Sequence, residues 1–262
     1  MDTLFLKRVS LKKGAHLDRS GYLYRIPTLR GFRSLVFSSP VTFFTGENGA
    51  GKSTLLEAVA VALGFNPEGG SRNFLFHSRD THSALWSMLE LVRGPYRPRD
   101  GYFVRAESFY NLATNIDDLD GTPACSPLLI RSYGGKSLHG QSHGESFLAL
   151  FLNRFGGRGL YLLDEPEAAL SPSKQLALLC RMNELVRDGS QFIIATHSPL
   201  LMAFPGADIL LFGEDIRPVA YRETEHYLLT RRFLNDPEGM LRALFQDEAP
   251  SGPGGTDQDQ RF

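Results

Sequence analysis

Gly46-Glu47-Asn48-Gly49-Ala50-Gly51-Lys52-Ser53-Thr54 follows the apolar run Val41-Thr42-Phe43-Phe44-Thr45 and leads into a nearly all-apolar stretch to Leu63, closed by Gly64. That order predicts a buried strand, a glycine-rich turn and a buried helix, which is the context in which a P-loop pattern has physical meaning. Glycines at 46, 49 and 51 let the backbone take positive φ and approach phosphate oxygens with no Cβ in the way. Lys52 can set a compact positive charge between the β- and γ-phosphates, and the Ser53 hydroxyl can ligate Mg²⁺. The helix start adds the positive end of its dipole. Gly46, Glu47, Asn48, Gly49, Ala50, Gly51, Lys52, Ser53 and Thr54 are therefore the candidate ATP-binding residues.

Working outward, Leu160-Tyr161-Leu162-Leu163 ends in Asp164-Glu165, the form of a Walker B strand. Asp164 is placed to hold Mg²⁺, and Glu165 to polarise the water that attacks the γ-phosphate. The next apolar run, Gln191 to Thr196, ends at His197. Parallel strands deliver their C-terminal ends to one crevice, so His197 should lie beside the γ-phosphate. Lys52, Glu165 and His197 form the candidate catalytic set. A second anion site is suggested by Ser142-His143-Gly144-Glu145 at the start of the apolar helix that runs through Leu152. Two phosphate-binding helix starts in one chain suggest that each serves a different copy of the protein.

The remaining sequence supplies the frame. At 262 residues with 28 Lys+Arg against 29 Asp+Glu, the chain fits one large α/β domain and has no overall field that would draw it to nucleic acid or an anionic membrane. Only Cys125 and Cys180 are present, so a disulfide framework and a cysteine zinc site are not expected. With no secretory signal and no apolar run near the roughly 20 residues that span a bilayer, a cytoplasmic, soluble chain is expected.

Residues 1 to 40, including Tyr22 to Ile26, read as short antiparallel strands, with Tyr24, Arg30 or Phe32 able to flank an adenine. Ser83 to Val92 reads as weakly helical, and the basic loop Arg93 to Asp100 could touch nucleic-acid phosphates through Arg93, Arg97 and Arg99. Gly101 to Ala106 reads as a strand that delivers Glu107. The acidic stretch Asp117 to Gly121 lacks the Gly and Glu placement of a calcium loop. Ser171 and Pro172 should start a helix that carries Leu176, Leu179, Met182 and Val186 on one face. Val219 to Tyr221 reads as a strand, Glu223 to Leu234 and Glu238 to Phe245 as helices, and the Pro-, Gly- and Asp-rich residues from 247 to 262 as a disordered tail.

Taken together the motifs resemble the ABC-type ATPases: Gly46 to Thr54 is similar to their Walker A, Ser142 to Glu145 to their signature, Leu160 to Glu165 to Walker B, Glu167 to Ser171 to the D-loop and His197 to the switch histidine. The wording of these stretches and the single-domain layout resemble the soluble bacterial "AAA family ATPase" proteins related to RecF and SMC heads. The resemblance implies a P-loop α/β fold with a mainly parallel core sheet flanked by helices, an antiparallel N-terminal subsheet and a small helical lobe. It places one domain at 1–246, with that lobe at about 66–150. It also implies Mg-ATP as cofactor, a homodimer formed on ATP binding with the signature acting in trans, and a nucleic-acid or protein partner in preference to a membrane one. His143, Glu145 and Ser171 depart from the glycine, glutamine and aspartate common in transporter subunits. Glu107 holds the place of the Q-loop glutamine and is a further candidate metal ligand.

Overall fold

The computed structural model describes residues 4–71, 83–106 and 143–246. The chain divides into two compact units, Met1–Tyr221 and Arg222–Phe262. In the first unit a seven-stranded sheet has the order β10-β9-β3-β8-β7-β6-β4. Its strands are β3 (Val41–Gly46), β4 (Gly70–Ser71), β6 (Asp100–Arg105), β7 (Gly159–Asp164), β8 (Gln191–Ala195), β9 (Asp208–Phe212) and β10 (Ile216–Pro218). Strands β6, β7, β8, β3 and β9 are mutually parallel, and the short β4 and β10 close the two edges antiparallel. The expected mainly parallel core sheet is therefore what the chain forms.

Every residue of β3, β7 and β8 is buried, which is why these strands read as unbroken apolar runs. The period of two still sorts their side chains into separate cores. Phe44, Leu160, Leu162, Ile193 and Ala195 face the side that holds the helix α3 (Lys52–Ala62), with Leu55, Leu56 and Val59. Phe43, Tyr161, Leu163, Phe192 and Ile194 face the other side, against α6 (Pro172–Arg187) and the α5 (His143–Ala149) segment, which continues as a π-helical turn through Arg154. Phe147, Phe151 and Phe155 pack edge to face there, and Phe155 stacks on Tyr161 with centroids 4.2 Å apart.

A three-stranded antiparallel sheet, β2-β1-β5, joins β1 (Leu6–Leu11), β2 (Ser34–Val36) and β5 (Leu89–Arg93). The antiparallel N-terminal subsheet is thus present, with two corrections. Tyr22 to Gly31 forms two short helical turns, α1 (Tyr22–Arg25) and α2 (Pro27–Gly31), because Pro27 fits a first helical position and cannot donate to a sheet. In Ser83 to Val92 only α4 (Leu85–Met88) is helical, and Leu89 to Arg93 pairs with β1 instead.

Elsewhere Val219 to Tyr221 is not a strand; β10 lies three residues earlier and a 3₁₀ turn begins at Tyr221. Helix α6 starts after Ser171 with Pro172 in its first turn as expected, but it buries Gln175, Leu178, Met182 and Leu185 and leaves Leu176 half exposed. Of the expected face Met182 is buried and Leu179 and Val186 pack partly buried against the core, so only Leu176 falls outside it, while Gln175 is held inside by two hydrogen bonds, to the Leu170 carbonyl and from the Ser198 hydroxyl. α7 (Pro199–Met202) follows β8. The second unit contributes α8 (Glu225–Asn235) and α9 (Pro237–Gln246), the two expected helices. The stretch Asp117 to Gly121 and the tail from 247 lie outside the described residues, as does most of the expected helical lobe.

Candidate functional site

The loop between β3 and α3 takes the conformation its glycines allow. Gly46 has φ 134, and a Cβ there would collide with the Phe212 carbonyl oxygen on β9. Gly51 has φ 98, and a Cβ would sit 2.7 Å from the Ile26 side chain. Both are therefore required by the backbone and by close packing, before any ligand is considered.

Lys52 is buried, and its Nζ donates to the carbonyl oxygens of Gly46 and Glu47, 2.8 Å each. Burial pulls its pKa below the ordinary lysine value, against the pull of Glu165, Asp164 and Glu167, which favour the charge. The ammonium is thus folded onto its own loop, near the Glu165, Asp164 and Glu167 carboxylates.

Directly after Lys52, the Ser53 hydroxyl donates to Asp164 Oδ1 at 2.8 Å. The two groups expected to hold a metal are brought together across the site although 111 residues separate them. Among the described residues no cluster of three or more His, Cys, Asp or Glu is ready to bind a metal ion. Two oxygens from Ser53 and Asp164 suit Mg²⁺, which keeps waters and takes further ligands from phosphates, so the residues fit the metal only together with a nucleotide.

Beyond Asp164 the chain turns abruptly. Glu165 has φ 48, a left-handed conformation that costs a non-glycine residue roughly 1–2 kcal/mol. Its N–H still donates to the Ala195 carbonyl at 2.9 Å, so the strained residue is pinned to the end of β8. Its carboxylate stays 41% exposed, 3.7 Å from His197 Nε2. Strain at a residue with a solvent-reaching carboxylate is the arrangement expected of a group aimed at a reacting water.

Ser53, Asp164, Glu165, Ala168 and Ala169 line one cleft of roughly 280 Å³, together with Arg105 and Ala106. Glu165 lines this cleft and lies 3.7 Å from His197 Nε2, while Lys52 and His197 themselves are not among the cleft-lining residues.

Three residues without a predicted role in the chemistry belong to this neighbourhood. Arg105 ends β6 opposite Asp164, donates to Glu57 Oε2 at 2.7 Å and lies 3.7 Å from Asp164 Oδ2. The buried Glu167 carboxylate accepts the His197 N–H at 2.6 Å, and burial raises its pKa above the usual glutamate value despite that bond. Gln175 links the Leu170 carbonyl to the Ser198 hydroxyl, so the turn after Walker B and the loop after His197 are tied into one piece. A sequence signal existed for Arg105, since a charged residue ending a buried strand beside Walker B must face the same crevice.

Phe32 is a core residue, 4% exposed, and cannot stack on an adenine. Ser142 and Glu107 lie outside the described residues, and His143 begins α5. Gly144 packs against the turn of residues 166–169: a Cβ would fall 2.7 Å from the Ala169 carbonyl oxygen and 3.1 Å from Lys174 Nζ. Glu145 is exposed in the first turn of α5.

Two family models match the chain: an AAA domain over residues 27–92, and an AAA domain described as putative AbiEii toxin, Type IV TA system, over residues 145–203. The first spans the P-loop, the second Walker B and His197. A Haemophilus influenzae protein described as an uncharacterized ABC transporter ATP-binding protein is 27% identical over 185 residues, 64% of this chain and 68% of its own length. An ATP-binding cassette of an ABC transporter aligns with a TM-score of 0.46 and 15% identity, over 81% of this chain and 90% of that one. The SMC head domain from Thermotoga maritima aligns with a TM-score of 0.39 and 17% identity, over 83% of this chain and all of that domain (100%). Among the described residues no helix is long and apolar enough to cross a membrane.

Proposed function

We propose that this chain, an ATP-binding and ATP-hydrolysing protein of the P-loop, ABC-type class, works as an ATP-dependent head-to-tail homodimer that acts on a nucleic-acid or protein partner in the cytoplasm. The observation that carries the reading is the pinned, strained Glu165 beside His197, in a cleft shared with Ser53 and Asp164.

In this reading the P-loop amides and Lys52 bind the phosphates, with Lys52 leaving the Gly46 and Glu47 carbonyls to do so. Ser53 and Asp164 hold Mg²⁺, which supplies charge neutralisation to the phosphates. Glu165 orients and deprotonates the attacking water, and His197 holds the γ-phosphate side of the cleft. Ser142 to Glu145 of a second copy close over the nucleotide.

Glu165→Gln keeps the side-chain volume and removes the base. In saturating Mg-ATP it should run as a dimer in analytical ultracentrifugation, and as a monomer without nucleotide. A monomer in both conditions would reject the closure. A second reading, a nucleotide-binding subunit of a membrane transporter, is favoured by the description of the Haemophilus influenzae relative. Recovery of a membrane protein with the detergent-solubilised chain would select it.

A further inference from the structure

A second cleft, of roughly 550 Å³, opens at the other end of the central sheet and is lined by Tyr96, Arg97, Arg99, Arg158 and Arg187, with Asp188 beside them. Its walls are the segments that enter three neighbouring parallel strands: residues 94–99 before β6, Arg158 before β7, and Arg187 to Gly189 before β8. A six-residue strand spans about 20 Å, so this cleft lies about that far from Glu165.

The main chain fixes the cluster. Arg99 N donates to the Arg158 carbonyl at 2.9 Å, and Arg158 N to the Asp188 carbonyl at 3.1 Å. Arg158 has φ 56, one of two positive-φ residues other than glycine among the described residues; the other is Glu165.

The arginines that serve the fold at this end are satisfied. Arg154 pairs with Asp100 at 3.0 Å, while Arg181 donates to the Phe155 carbonyl at 2.8 Å and pairs with Glu184 at 2.8 Å. By contrast, Arg97, Arg99, Arg158 and Arg187 are all exposed, and none has a side-chain hydrogen bond or ion pair to a described residue. Four like charges gathered around one concavity repel each other, and packing gives no reason for them. A polyanion would.

The exposure of the guanidinium groups decides which polyanion. In water each gains little from one small anion, so useful affinity needs a ligand that engages several at once. Tyr96 adds a second feature: the residue is 65% exposed beside Arg97. An open aromatic ring among arginines suits an unstacked base, which a single strand offers and a duplex does not.

We infer that this cleft binds a single-stranded nucleic acid, with phosphates on Arg97, Arg99, Arg158 and Arg187 and a base on Tyr96. The inference names one of the partner classes left open above and rests on that reading only for what the ATP cycle does to the bound strand. Binding itself needs neither ATP nor a second copy.

The test is fluorescence anisotropy of a labelled oligothymidylate of about 20 nucleotides with the full chain and no nucleotide. With four phosphate contacts, log Kd against log salt should have a slope of magnitude about 3. Arg97→Glu with Arg99→Glu should weaken binding at least about 10-fold and flatten that slope. Tyr96→Ala should weaken it about 10-fold, whereas Tyr96→Phe should not. All three variants should keep the parent's melting temperature, as exposed positions do.

No binding by the parent, unchanged affinity in the double variant, or equal affinity for a hairpin duplex with no effect of Tyr96→Ala would each overturn the inference. Because nucleotide is absent, a failed Glu165→Gln dimer would leave this result standing, and a failed oligonucleotide titration would leave the dimer standing.

Discussion

At the C-terminal end of the parallel strands Lys52, Asp164, Glu165, Glu167 and His197 are held by one another or by the main chain, whereas at the N-terminal end Arg97, Arg99, Arg158 and Arg187 are exposed and, among the described residues, form no ion pair, although Asp188 lines the same cleft. The contrast separates two ways of using charge. Interlocked groups act at one point, so each should matter singly. Exposed like charges are cheap to place and act only together, so single losses should be mild.

The largest expected effect is at the interlocked end. Glu165→Gln should lower steady-state phosphate release by about 10²- to 10⁴-fold, the range for removal of a general base. Lys52→Ala should lower it by about 10²- to 10³-fold through lost charge stabilisation. If either variant kept more than a tenth of the parental rate, the claim that each group here acts singly would break.

A partly buried carboxylate at each end sharpens the comparison further. Burial would push Asp100 up, but the Gly156 N–H, the Arg154 guanidinium and the Tyr161 hydroxyl outweigh it and hold its pKa below the ordinary aspartate value. A depressed carboxylate stabilises the fold above its unfolded pKa, and that contribution is lost as pH falls through the folded one. Asp100→Ala should therefore cost about 1–3 kcal/mol at neutral pH, and its deficit in melting temperature should shrink below pH 4.

Glu167 has the opposite sign. Burial raises its pKa, so the stability tied to its proton is lost as pH rises from the unfolded value through the folded one. Glu167→Gln, whose carbonyl can still accept the His197 N–H, should melt slightly higher than the parent at neutral pH and no higher at pH 4. Equal pH profiles for the Asp100 and Glu167 variants would contradict the contrast between the two ends.

Much of this was legible in the sequence. The glycines before Lys52, the apolar runs into Asp164 and His197, and the order of these segments were enough to place Lys52, Ser53, Asp164, Glu165 and His197 at the C-terminal end of the parallel strands, where Ser53 meets Asp164 and Glu165 lies near His197. Residues whose role depends on a partner far away in sequence were not legible. Gln175 is buried on α6 because it bonds the Leu170 carbonyl and the Ser198 hydroxyl, partners that helical periodicity alone does not show. Leu89 to Arg93 carries enough apolar residues for a helix, and only its pairing with β1 makes it a strand. Arg158 and Arg187 are separated by 29 residues and joined Arg97 and Arg99 only through the sheet, so the basic loop alone showed half of the cluster.

The central claim is that one nucleotide is held by Lys52 of one copy and the 142–145 segment of another, and mixing two inactive variants tests it most directly. Lys52→Ala and Ser142→Arg should each be inactive alone. A mixed dimer restores one intact site in every heterodimer, so an equimolar mixture should recover about one quarter of the parental hydrolysis rate. A mixture as inactive as its two components would contradict the shared site.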